Sequence, residues 1–100
     1  MIRLPTRFKL LNRTYEVEPI DTPLAKDISK HGDCDFEEAR IRVEVTENAE
    51  LTEHTFFHEL VHALLIVSTK PKLTHDEKLV DSIAAALHQY EQTKKGNLRG

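Results

Sequence analysis

Cysteine and net positive charge are both scarce in this sequence. The single cysteine, Cys34, has no partner for an intramolecular disulfide, so a disulfide-stabilised secreted scaffold is excluded and a reducing compartment, the cytoplasm, is expected. Asp and Glu number 17 against 14 Lys and Arg, which gives a formal net charge of -3. Because a general nucleic-acid binder needs a basic field to attract phosphates, we expect no nucleic-acid partner.

Long apolar runs are also missing. The longest are 63–67 and 83–87, far short of the roughly 20 residues that a membrane-spanning helix needs. The N-terminal segment contains no apolar core of a signal peptide, and we expect no membrane partner. With 39% hydrophobic residues in 100 positions, the composition suffices for one modest core, so we predict a single domain over 1–100.

The residues that are present divide the chain into two halves, and the first half has the pattern of strands and loops. Segments 8–11 and 15–18 are typical of short strands, and the turn residues at 12–13 between them predict a β-hairpin. The second strand of this hairpin is expected to end at Pro19. We predict loop structure over 21–33.

Residues 40–46 have the clearest strand pattern in the sequence. Ile41, Val43 and Val45 alternate with charged or polar residues, so one face of this strand should pack on a core while the other faces water. Gly32 and Asp33, which come shortly before, are a turn signal. Together with the hairpin, this strand predicts a small antiparallel sheet.

The second half has the pattern of two helices. Apolar residues cover most of the circumference of a helix predicted over 52–68, which is typical of a buried helix. Thr74 and Glu77 have the spacing of a capping box, with Thr74 as the N-cap of a second helix that runs to about residue 93. The predicted fold class is therefore α+β: a small antiparallel sheet packed on two helices, the first of which carries the motif described next.

The segment from His58 to His62 contains two histidines at the i,i+4 spacing, with Glu59 beside the first. On a helix the two imidazoles lie on one face, one turn apart, where they can bind one metal ion. Glu59 is rotated by about 100° around the helix axis, so it can lie beside the metal and take a proton from water. An alternative interpretation is a pair of core histidines bonded to the backbone or to carboxylates. His54, one turn earlier, can extend the polar face into the mouth of the site, but a solvated residue near the start of the helix is the favoured interpretation.

A catalytic zinc site usually has three protein ligands and one open position, so a third ligand must come from elsewhere. The candidates lie on or near the second helix: His75, Asp76, Glu77, Asp81 and His88. Glu77 and Asp81 share a helix face and Glu77 has the longer side chain, so we predict that Glu77 is the ligand and that Asp81 orients a ligand histidine. If Glu77 instead closes the capping box with Thr74, Asp81 is the next candidate.

The sequence His58-Glu59-Leu60-Val61-His62-Ala63-Leu64 resembles the active-site helix of zincin-type metallopeptidases. The nearer resemblance is to small phage-borne and bacterial proteins of the ImmA/IrrE-like group. In that group, strands precede the HExxH helix and a later helix supplies an acidic third ligand. This chain has the same order over roughly 40–88, and its segment 77–81 resembles the glutamate-then-aspartate spacing of gluzincins.

The resemblance implies a zinc ion held by His58, His62 and Glu77, with Glu59 as general base. It also implies hydrolysis of a peptide bond in a protein or peptide substrate, in which Glu59 takes a proton from water and later delivers it to the leaving amine. We therefore predict a minimal zincin-like zinc metallopeptidase. The alternative is a protein-interaction module with a metal-bound or vestigial site, which binds a repressor or another regulatory protein. Neither hypothesis fixes the oligomeric state.

Overall fold

The computed structural model describes residues 4–20, 31–68 and 71–94. Within these ranges the chain forms four strands followed by two α-helices, with a short 3-10 helix between the α-helices. The elements are β1 (Arg7–Leu10), β2 (Arg13–Ile20), β3 (Gly32–Asp35), β4 (Arg40–Glu44), α1 (Ala49–Val67), the 3-10 helix (Pro71–His75) and α2 (Glu77–Thr93). The α+β class predicted from the sequence is confirmed.

The four described strands form one mixed sheet in the order β1-β2-β4-β3. Strands β1 and β2 are antiparallel, as are β3 and β4, whereas β2 and β4 run parallel. The prediction of a wholly antiparallel sheet is therefore wrong in its central pairing. The reason is the position of β3, which precedes β4 along the chain but lies at the edge of the sheet. Strand β4 runs antiparallel to β3 and lies between β3 and β2, where it is parallel to β2.

The predicted hairpin is present, but β2 continues past its predicted end at Pro19. The turn consists of Leu11 and Asn12, one residue earlier than predicted, and Leu11 adopts a φ of 55°. The Val17 amide donates to the Thr6 carbonyl oxygen at 2.9 Å, so alternate residues of β2 direct their backbone toward β1. The backbone of Pro19 also faces the β1 side, but it lies beyond the residues of β2 that pair with β1. Its lack of an amide hydrogen therefore removes no hydrogen bond between the strands.

The strand predicted over 40–46 corresponds to β4. Its residues Ile41 and Val43 are fully buried in the core beneath α1, as the alternating pattern predicts. Val45 lies beyond the end of β4 and is 39% exposed, so it does not extend the apolar face. The buried face of the sheet is thus shorter than the sequence pattern indicates.

Gly32 and Asp33, predicted to form a turn, belong to the edge strand β3. Gly32 has no positive φ, so the turn interpretation is wrong and close packing explains the glycine. A Cβ atom there would lie 2.8 Å from the carbonyl oxygen of Arg42, 2.8 Å from Thr55 Cγ2 and 3.4 Å from Glu59 Cγ. Strand β3 therefore packs directly against α1, beside the predicted general base.

Helix α1 begins before its predicted start at residue 52, because Asn48 Oδ1 accepts a hydrogen bond from the Leu51 amide at 3.1 Å. One side of α1 packs on the sheet and the other on α2, which explains why apolar residues surround it. The sheet side of the core includes Tyr15, Ile41, Val43, Phe56 and Ala63, and the α2 side includes Val61, Val80 and Ala84. No helix among the described residues has both the length and the apolar composition needed to cross a membrane.

The N-terminus of α2 differs from the predicted capping box. Asp76 is the N-cap, and its Oδ1 accepts a hydrogen bond from the Leu79 amide at 3.1 Å. Thr74 is buried in the 3-10 helix, and Glu77 is the first residue of α2. The capping-box interpretation is therefore wrong, because the Asp76 carboxylate, and not the Thr74 hydroxyl, accepts the hydrogen bond from a free amide in the first turn of α2. Glu77 is left available for another role.

Candidate metal centre

The imidazoles of His58 and His62 converge on the carboxylate of Glu77. His58 Nε2 lies 3.2 Å from Glu77 Oε1, and His62 Nε2 lies 3.5 Å from Glu77 Oε2. The three side chains each offer a ligand atom, and these atoms lie within 4.8 Å of one another. Helix geometry aligns the two histidines on one face of α1, and the packing of α2 on α1 brings Glu77 to the same point.

Both histidines also have a partner at their second ring nitrogen. His58 Nδ1 lies 3.3 Å from Asp81 Oδ1, and His62 Nδ1 lies 2.9 Å from Thr74 Oγ1. A proton on Nδ1 of each ring leaves the Nε2 lone pair for a metal ion, and such contacts orient metal-binding histidines. The Thr74 hydroxyl also donates to the carbonyl oxygen of His62 at 3.4 Å, so Thr74 connects the 3-10 helix to α1. Sequence reasoning missed this role, because nothing in the local sequence links Thr74 to His62.

Glu59 lies beside this cluster and is only 8% exposed. Its carboxylate has no hydrogen-bond or ion-pair partner among the described residues, and it faces the cavity that His58 and His62 line. Burial, together with the neighbouring carboxylates of Asp33 and Glu77, raises the pKa of Glu59 to about 8. Burial also lowers the pKa of His62, which favours the neutral imidazole that metal binding requires.

The cluster opens into a cavity of about 550 Å³ between α1, the start of α2 and the edge strand β3. Five of the six histidines of the chain line it, the exception being His88. Cys34 lines it as well, but burial, reinforced by Glu59, raises the pKa of its thiol far above the ordinary value. Since a neutral thiol is a poor nucleophile and metal ligand, the chemistry of this cavity belongs to its imidazoles and carboxylates.

The other candidates for the third ligand do not reach the two Nε2 atoms. His88 is buried, with its Nε2 2.8 Å from Glu53 Oε1 and its ring stacked on Phe57 at a centroid distance of 5.5 Å. Asp76 caps α2, and Asp81 contacts the opposite ring nitrogen of His58. Within the described part of the chain, no other group of three His, Cys, Asp or Glu side chains has its ligand atoms within 4.8 Å of one another.

His54 extends the polar face of α1 to the cavity, which favours the first of its two interpretations over a freely solvated residue. Its Nε2 lies 3.3 Å from Asp81 Oδ1, so this one carboxylate oxygen contacts both His54 and His58. The side chain of His54 is 35% exposed and lines the cavity. The signal for this position is the repeated four-residue spacing of His54, His58 and His62, which aligns three imidazoles along one face of α1.

The raised pKa of Glu59 predicts a pH dependence of stability in the metal-free protein. With a pKa of about 8, the Glu59 carboxyl group stays protonated in the folded protein up to about pH 8, whereas its ordinary pKa is 4.5. Between these values the folded state binds more protons than the unfolded state, so the free energy of unfolding falls as the pH rises. The slope approaches about 1.4 kcal/mol per pH unit, so a rise of about two units within this window should remove on the order of 2 kcal/mol.

Chemical denaturation in the presence of a chelator, performed on wild type and Glu59→Gln, measures this effect. The lowered pKa of His62 acts in the opposite sense, because it removes stability as the pH falls below 6.5. That contribution is common to both proteins and cancels in their difference. The stability of Glu59→Gln relative to wild type should therefore increase with pH. A difference that stays constant over the window contradicts the prediction.

A comparison of the chain with protein-family models, with curated proteins and with solved structures finds no match in any of the three. The support for a function therefore lies in the geometry of His58, Glu59, His62 and Glu77. The resemblance to zincins and to the ImmA/IrrE-like group stays a prediction that depends on the motif residues.

Proposed function

We propose that this protein is a zinc-dependent metallopeptidase that hydrolyses a peptide bond of a protein or peptide substrate. One observation carries the proposal: ligand atoms of His58, His62 and Glu77 lie within 4.8 Å of one another, beside the buried carboxylate of Glu59. Two histidines and one glutamate fit zinc, because catalytic zinc sites use such nitrogen and oxygen ligands and keep a further position open.

Each residue has a distinct role in this proposal. His58 and His62 would hold the ion through Nε2, and Glu77 would hold it through a carboxylate oxygen. When bound, zinc would act as a Lewis acid that lowers the pKa of water and polarises a carbonyl group. Glu59 accepts the proton of the attacking water and then protonates the leaving amine. The contacts at the two Nδ1 atoms keep both imidazoles in the orientation that the ligands need.

The edge strand β3 supports a peptide as the substrate. The Glu44 amide donates to the His31 carbonyl oxygen at 2.8 Å, and the register of β3 with β4 then directs the backbone of Gly32 and Cys34 to the outer edge of the sheet. No described strand pairs with that edge, which lines the cavity. An extended peptide can add to such an edge through backbone hydrogen bonds, and here it would run beside Glu59.

Metal content and cleavage together test the proposed function. Protein purified without added metal or chelator should contain one zinc ion per chain, and it should cleave an end-blocked peptide library. A chelator should abolish cleavage, and added zinc should restore it. Absence of a bound divalent metal, together with no thermal shift on addition of zinc, would overturn the proposal.

We further propose that the protein acts in the cytoplasm. The support is the single cysteine, which is a neutral, half-buried thiol and gives the fold no disulfide to depend on. Fractionation of cells that express the tagged chain tests this location, and recovery of the protein outside the cytoplasm would contradict it.

A further inference from the structure

The cavity beside the metal-binding cluster is acidic. Four carboxylates line it, from Asp33, Glu59, Glu77 and Asp81, whereas none of its described lining residues is Lys or Arg. Asp33 already forms an ion pair with Arg42. Glu77 and Glu59 lie at the proposed metal position, where the positive charge of a bound cation would neutralise their negative charge. Asp81 therefore carries the carboxylate that remains to attract a charged ligand.

The Asp81 carboxylate lies at one defined end of the cavity. Its Oδ1 atom is 3.3 Å from both His54 Nε2 and His58 Nδ1, and its side chain is 62% exposed. Because His54 is one helical turn, about 6 Å along the helix axis, before His58, this oxygen lies between the two imidazoles, on the side of His58 that is nearer the start of α1. A side chain attached close to the scissile bond can reach this position.

Apolar side chains line the same cavity. Leu51 lies nearly one turn before His54 on α1, and Phe36 follows β3; both are partly exposed. Lys and Arg side chains bury their aliphatic stems on apolar surfaces while their charged ends reach polar groups. A cavity that combines apolar lining residues with an exposed carboxylate is therefore suited to a long basic side chain. An acidic side chain at this end would meet a like charge.

We propose that the site selects peptides with Lys or Arg next to the scissile bond, bound with the charged end of the basic side chain at Asp81. This selectivity rests on the proposed peptidase function, since it assigns the substrate class of the same cavity. Glu59, buried and without a partner among the described residues, independently indicates that a ligand completes this cavity.

Hydroxamates of single amino acids test the selectivity without requiring turnover. The Kd of zinc-loaded full-length protein is measured for Lys and Glu compounds in two series, N-acetyl-amino-acid hydroxamates and malonyl-hydroxamate amides, which direct the side chain to opposite sides of the chelating group. In one series the Lys compound should bind at least about tenfold more tightly. The ratio should shrink with added salt, because exposed charges are screened.

Two charge variants with a matched control locate the effect. His54→Lys should remove most of the preference for Lys, whereas His54→Gln should keep it, since only the first adds a positive charge beside Asp81. Leu51→Lys, which leaves the contacts of Asp81 intact, should have the same effect as His54→Lys. Equal affinities for Lys and Glu compounds in both series, or a preference that survives both lysine variants, would overturn the selectivity alone. Failure of the wild type to bind zinc would instead overturn the proposed function.

Discussion

Replacing Glu77 by alanine should lower zinc affinity by more than about 100-fold, the upper end of the loss typical of residues that only support a ligand. Glu77 is the one described carboxylate that contacts the Nε2 atoms of both His58 and His62. His62→Ala should cause a similar loss. Because the Glu77 side chain is 62% exposed and does not cap α2, the metal-free fold should tolerate its removal.

Competition with a chromophoric zinc chelator measures these affinities, and two variants serve as controls. Asp81→Ala removes a contact to His58 Nδ1 and should cost about 10- to 100-fold. Glu91→Ala removes an exposed carboxylate of the same helix, 3.1 Å from Lys94 Nζ, and should leave zinc affinity unchanged. If Asp81→Ala weakens binding more than Glu77→Ala, Asp81 is the ligand and the assignment of Glu77 is wrong.

Replacing Glu59 by glutamine should reduce peptide cleavage by about 10²- to 10⁴-fold, the usual size of a lost acid–base group. The amide has nearly the same shape as the carboxylate but does not accept a proton at neutral pH. Glu59 is adjacent to His58 yet belongs to a different helix face, so its replacement should leave the three proposed metal ligands in position. The variant should therefore keep one zinc ion per chain and the wild-type fold.

Zinc content and cleavage rate, measured side by side for wild type, Glu59→Gln and Glu50→Gln, decide between the enzyme and the interaction module. Glu50→Gln changes an exposed carboxylate on α1 that contacts Gln92, and it should leave both quantities unchanged. Equal cleavage by wild type and Glu59→Gln would remove Glu59 from the mechanism. Absence of cleavage by both, with a protein partner bound equally by both, would favour the interaction module. Loss of zinc in Glu59→Gln would mean that Glu59 supports the site structurally.

Local sequence by itself determined the elements that carry the candidate site. The four-residue spacing of His58 and His62 on an apolar helix requires that both imidazoles share one face, whatever surrounds the helix. Alternation of Ile41 and Val43 with charged residues likewise predicted a strand with one buried face, and both side chains are fully buried. These features depend on neighbours a few residues apart, which is the range over which backbone periodicity acts.

The tertiary structure alone decided how these elements meet. Thr74 and Asp76 are both good N-cap residues. In the structure Asp76 caps α2 while Thr74 is hydrogen-bonded to His62, and this arrangement leaves Glu77 free to approach the histidines. Gly32 has the sequence signal of a turn, yet its lack of a side chain allows β3 to lie against Glu59. The physical reason is the same in both cases: a local pattern permits several arrangements of similar free energy, and contacts between residues distant in sequence select one of them.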